Sequence, residues 1–128
     1  MTATVITPQT IIAPFGSTSG SAGSHDFTLA ASTAATTDAW TCNGCDILIA
    51  QHSGSAGAHT ITIASQDDEK NRSEPITDYS MAAGDLAVFG CGLTNSKGWK
   101  DTSGKITVTT SDAEIKLAVL RLPAGYPS

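Results

Sequence analysis

The sequence predicts an all-β fold, an antiparallel β-sandwich of jelly-roll-like or Ig-like type with an extended N-terminal arm. Three observations predict it. Apolar and β-branched residues come in short alternating runs between Gly, Ser and Asp clusters, as in "HTITIAS" and "KITVTT", the period-2 pattern of half-buried strands. No segment carries an apolar stripe at helical spacing over three turns. Finally, the 128 residues are 15% charged and 5% aromatic with 12 glycines, whereas an average soluble domain is about a quarter charged.

The elements follow in chain order. Residues 1–24 form the arm and its linker. "TVITPQTIIAPFG" holds β-branched runs broken by Pro8 and Pro14, each of which removes a ladder donor and extends its predecessor. "GSTSGSAGS" after it is a Gly/Ser linker by composition. Ile11, Ile12 and Phe15 are too apolar for a solvated tail, so the arm docks either as an edge strand of its own domain or on a neighbouring subunit. The sandwich domain is assigned to residues 25–128. "HDFTLA" alternates with Phe27 and Leu29 on one face, and "STAATTDAWT" is a loop or a weak strand. "DILIAQ" is an unbroken apolar run, the mark of a strand buried on both faces. With "HTITI" it reads as an antiparallel hairpin across "HSGSAGA". The polar stretch "QDDEKNRSEPITDYSMAAGD", Gln66 to Asp85, reads as a long insertion between strands, long enough to suggest a functional loop, with residues 66–79 as its contact part. "LAVFG", "KITVTT" and "AEIKLAVLRLP" are further strands, with Ile106 and Val108, then Ile115, Leu117 and Val119, on single faces. "TSDAE" between the last two reads as a short hairpin turn.

Charge excludes some partners. The formal net charge is −5 and the seven Lys and Arg residues form no cluster. Phosphate binding needs clustered cations, so nucleic acid is not an expected partner. No run approaches the ~18 apolar residues of a membrane span, so no membrane partner is expected either. The N-terminus lacks the basic and apolar regions of a secretory signal. Three cysteines, an odd number, argue against a secreted disulfide framework and for synthesis in a reducing cytoplasm.

The motifs that carry chemistry elsewhere are incomplete here. In Cys42-Asn43-Gly44-Cys45 the spacing is that of redox and zinc sites, but a strand follows where a redox pair has a helix N-terminus. A zinc site needs a full ligand set, and His25, His52 and His59 show no paired spacing with Cys91. Asn-Gly is a strong two-residue hairpin signal, so Cys42 and Cys45 are expected opposite each other on neighbouring strands. "QDDEKN" lacks the spacing of a calcium loop. No G-x-S-x-G elbow, phosphate loop or dinucleotide fingerprint occurs. The expectation is therefore no enzyme, no catalytic or metal-binding residues and no cofactor. Trp40 and Trp99, in turn-rich contexts, read either as interface anchors or as caps on one end of the sandwich with the indole N–H on a loop carbonyl.

The stretch from Asp46 to Pro123 carries the pieces "ILIAQHSGSAGAHTITI", "ITDYSMAAGDLAVFG", "GWKDTSGKITV" and "IKLAVLRLP" in order. In this it resembles the capsid decoration (cement) proteins of tailed bacteriophages. Two departures stand out. Asn71–Pro75 replaces a Gly-Arg-x-Gly-type turn, and the CxxC is not part of that pattern. The resemblance implies a β-sandwich on the outside of an icosahedral head, made in the host cytoplasm. It would bridge capsomers by contacts with the major capsid protein and with copies of itself, as a trimer or quasi-three-fold cluster. The contacts expected on this reading are Ile11, Ile12, Phe15, Asp67, Asp68, Arg72, Tyr79 and Trp99. Two alternatives compete: another phage structural part such as a tail, neck or fibre-base protein, and a small metal- or thiol-dependent protein using the CxxC.

Overall fold

Ten strands, and no helix among the described residues, make up this computed structural model, which describes residues 4–11, 26–34, 36–55, 57–67, 75–92 and 98–122. The strands are β1 (Thr4–Val5), β2 (Gln9–Thr10), β3 (Ala30–Ala31), β4 (Asp38–Thr41), β5 (Cys45–His52), β6 (Ala58–Ile63), β7 (Ile76–Ala82), β8 (Leu86–Gly92), β9 (Lys105–Thr110) and β10 (Ile115–Arg121). They form two five-stranded sheets. Sheet A runs β1-β4-β9-β6-β7 and sheet B runs β2-β10-β5-β8, with β3 also on the outer edge of β10. The all-β sandwich expected from the alternating runs is the observed architecture.

Alternation places the core. On β5 the inward residues Asp46, Leu48, Ala50 and His52 are buried while Cys45, Ile47, Ile49 and Gln51 are half-exposed. Ile61 and Ile63 on β6, Ile106 and Val108 on β9, and Ile115, Leu117 and Val119 on β10 meet them from both sheets, with Trp40 and Met81. Each fully buried aliphatic side chain contributes about 1.5–3 kcal/mol.

The connections correct three sequence expectations. From β4 to β10, just one pair of consecutive strands, β6 and β7, is hydrogen-bonded together. The expected hairpins at Cys42–Cys45, at "HSGSAGA" and at "TSDAE" are instead arches that carry the chain from one sheet to the other. The geometry explains why. A type I′ hairpin needs positive φ at both Asn43 and Gly44; of the two only Gly44 has it, at 93°. The Asn43 side chain accepts the Cys45 N–H at 3.0 Å, and Asp46 Oδ2 accepts the Asn43 N–H at 3.3 Å, so side chains close the turn where a ladder would have. At the second arch the buried His52 ring takes both its polar atoms to the loop: Nδ1 accepts the Gly54 N–H and Nε2 donates to Gly57 O, each at 3.1 Å. At the third, Asp112 Oδ1 accepts the Glu114 N–H at 2.8 Å and Glu114 O accepts from Ser53 Oγ at 2.7 Å. Residues 26–29, expected as a strand, form none, and Phe27 is exposed.

Part of the arm belongs to the sandwich. β1 pairs in parallel with β4, and β2 in parallel with β10. Pro8 lies where the chain crosses from one sheet to the other. The Gln9 amide then imitates a strand, donating to Thr28 O at 2.8 Å and accepting the Thr28 N–H at 2.9 Å. Ile11 is half-buried and its N–H donates to Arg121 O at 2.8 Å. For residues 4–11 the edge-strand alternative is the one observed. Ile12 and Phe15 lie outside the described residues.

One end of the sandwich is closed by an ion pair between buried Asp46 and half-buried Arg121. The Asp46 carboxylate is 2.8 Å from Arg121 Nε and 3.1 Å from Arg121 Nη2, and it accepts the Trp40 indole N–H at 2.9 Å. Arg121 also donates to Thr41 O at 2.9 Å. The hydrogen bonds to Asp46 push the Arg121 guanidinium above its ordinary value. Trp40 does close an end, as expected, but it is wholly buried and its N–H meets a carboxylate rather than a carbonyl.

Candidate interaction face

The two outer surfaces of the sandwich differ in chemistry. Register across sheet B aligns Lys116, Gln51 and Leu86 in one outward row; Ala118, Ile49 and Val88 in the next; and Leu120, Ile47 and Gly90 in a third. The second and third rows are apolar; in them Ala118 is buried and Ile49, Ile47 and Leu120 are half-exposed. Leu86 and Val88 are 63% and 64% exposed. Gly90 leaves an open notch, since a Cβ there would meet nothing within 4 Å. Sheet A presents the opposite surface. Thr62 aligns with Thr109, and Thr60 with Ser80. Thr107 and Lys105 continue the outward row of β9. Asp78 bonds to Thr62 through its N–H at 2.9 Å.

β8, the outermost described strand of sheet B, flanks the apolar face. β8 pairs with β5 on one side, and no described residue pairs with its other side. Its sequence, "LAVFGCG", has no charge and no proline, the usual devices that protect a free edge. The neighbouring free edge, β7 of sheet A, is protected. It carries a register shift between Ile61 and Ile63, and Asp78 sits in it at φ 50°. Such a bulge twists an edge away from pairing. An unprotected uncharged strand continuous with an aliphatic sheet face is what a protein-binding surface looks like.

The residues singled out in the sequence scatter around this face. Tyr79, 48% exposed on β7, stands edge-on to Phe89 of β8 with ring centroids 5.8 Å apart. Trp99 is half-buried and packs on the core beside Ile63, Ile76 and Phe89. Asp67 lines a separate open groove of about 430 Å³ with Ser65, Lys100 and Asp101. Asp68 and Arg72 lie outside the described residues. The expected Gln66–Asp85 insertion is not one loop: β7, Ile76–Ala82, lies wholly within it. Ile47, Ile49, Leu86, Val88 and Leu120 were not singled out. The signal was present in "DILIAQ", whose unbroken apolarity marks a strand with two faces to cover.

Burial, the largest influence, pushes the Cys42 thiol up from its ordinary value; the Gly44 N–H opposes this and Asp46 adds to it. A redox CxxC requires the opposite shift. No disulfide joins Cys42 to Cys45, and Cys45 is half-exposed. No family model, curated protein or solved structure matches this chain.

Proposed function

We propose that this protein is a virion structural component, a head decoration protein that lays the outer face of sheet B and the β8 edge against the capsid shell. The observation that carries the reading is the aliphatic surface of Ile47, Ile49, Leu86, Val88 and Leu120 on the outer side of sheet B. The resemblance over Asp46–Pro123 supplies the viral context. Exposed Leu and Val side chains each gain about 1.5–3 kcal/mol when buried against a partner, and a stable interface covers over ~1,200 Å² in total. The major capsid protein is the partner on this reading, and neighbouring copies complete a three-fold cluster. No step of chemistry is required.

The test is binding to undecorated heads of the parent phage. Wild type and Thr107→Lys, on the opposite face, bind alike; Leu86→Lys with Val88→Lys does not. Equal binding by all three would remove sheet B from the interface. If the wild type leaves heads untouched but cosediments with tails, the protein is a tail or neck component and the head assignment is wrong.

A further inference from the structure

At the end of the sandwich opposite Asp46, His59 converges with two carboxylates more than fifty residues away in sequence. His59 on β6 and Asp112 and Glu114 on the β9–β10 arch each offer one ligand atom, and these atoms all lie within 4.8 Å of one another. His59 Nε2 is 3.0 Å from Glu114 Oε1. His59 and Asp112 are half-buried, and Glu114 is exposed. The His59 ring stacks on the fully buried His52 ring, with centroids 4.6 Å apart and planes 22° from parallel. His52 is itself committed through both ring nitrogens to the 53–57 loop, so it is a platform and not a ligand. Asp112 is oriented by the Glu114 N–H at 2.8 Å. The Glu114 carboxylate rests against Gly54, where any Cβ would collide with it. Glycine at that position gives the carboxylate its seat.

We infer that His59, Asp112 and Glu114 form a divalent transition-metal site, with Zn²⁺ its preferred ion. One neutral imidazole and two carboxylates balance a doubly positive ion, and three protein ligands leave a fourth tetrahedral position for water or a partner's side chain. Ca²⁺ and Mg²⁺ take six or more oxygen ligands and avoid imidazole, whereas the His-carboxylate set suits Zn²⁺. The ion would tie β6 of sheet A to the arch that leads into β10 of sheet B, fastening the sheets at the end that lacks the Asp46–Arg121 pair. The site stands independently of the capsid-binding reading.

Titration of the intact, metal-stripped protein with ZnCl₂ tests it, followed by calorimetry, thermal melting and X-ray absorption. Saturating Zn²⁺ raises Tm by about 5 °C, and Ca²⁺ or Mg²⁺ does not. His59→Gln and Glu114→Gln, which remove direct ligands, each weaken Zn²⁺ binding by about 100-fold or more, beyond the roughly 10–100-fold cost of losing an outer-shell partner, while Cys45→Ser binds as wild type. The absorption spectrum shows nitrogen and oxygen neighbours at about 2.0–2.2 Å. Sulfur in the shell at about 2.3 Å, undiminished binding by both Gln variants, an equal response to Ca²⁺, or no binding by the wild type would each overturn the assignment.

Discussion

Sheet A and sheet B use β-branched residues equally well, yet they finish their outer faces differently. Sheet A places Thr60, Thr62, Thr107 and Thr109 outward; sheet B places Ile47, Ile49 and Val88 outward. Threonine and valine have nearly the same shape and both favour strands. The exchange of a methyl for a hydroxyl leaves the backbone preference intact and decides which face meets water. Edge chemistry follows the same division: β7 is bulged and carries Asp78, and β8 is uncharged. Fold and outer-surface chemistry are thus separable here, because the inward residues of both sheets build one core while the outward residues are free to differ.

The largest expected effect is one that removes both faces together. Asp46→Ala strips the buried partner from Arg121 and Trp40 and is expected to cost about 3 kcal/mol, as breaking a buried ion pair does. Urea unfolding measures it. A cost near zero would mean that the sheets are held by apolar packing alone. Leu48→Ala on the inner face of β5 is expected to cost about 2–5 kcal/mol, whereas Ile49→Thr, one residue away on the outer face, is expected to change stability by about 1 kcal/mol or less while weakening partner binding. Similar losses of stability from both would erase the distinction between inner and outer faces.

A smaller effect is pH-dependent. The Cys42 thiol is harder to ionise in the folded chain than in the unfolded one, where it titrates near 9.0. Above that pH the unfolded chain loses its proton first, so stability is intact below it and declines as pH rises. Under reducing conditions, the fall in urea midpoint between neutral and alkaline pH should be steeper for wild type than for Cys42→Ala; parallel curves would discount the burial. The smallest effect is expected from Thr107→Val with Thr109→Val. Stability should stay within about 0.5 kcal/mol of wild type, with head binding unchanged. A gain in head binding would show that any aliphatic strand face suffices.

Much of the sandwich was legible in the sequence. "HTITI", "KITVTT" and "EIKLAVL" alternate cleanly because each has one wet and one dry face, and the inward residues read from them are the observed core. The connections were not legible. Asn43-Gly44 signals a hairpin locally, but Asp46, Trp40 and Arg121 are brought together by tertiary structure and hold the turn as an arch. "HSGSAGAH" likewise looks like a hairpin loop until the His52 ring is seen to bind it. The His59–Asp112–Glu114 cluster was invisible for a related reason: more than fifty residues separate His59 from its partners, and an arch joins them. The apolar face was half legible. "DILIAQ" announced a strand covered on both sides; among the described residues its inner side is buried and Ile47 and Ile49 on its outer side are half-exposed.

A cryo-EM map of the decorated head tests that outer side most directly. The account places Leu86, Val88, Ile47 and Ile49 against the shell and the threonine rows of sheet A toward solvent. A protein seated the other way, with Thr60, Thr62 and Thr109 on the capsid and Val88 in water, would contradict it.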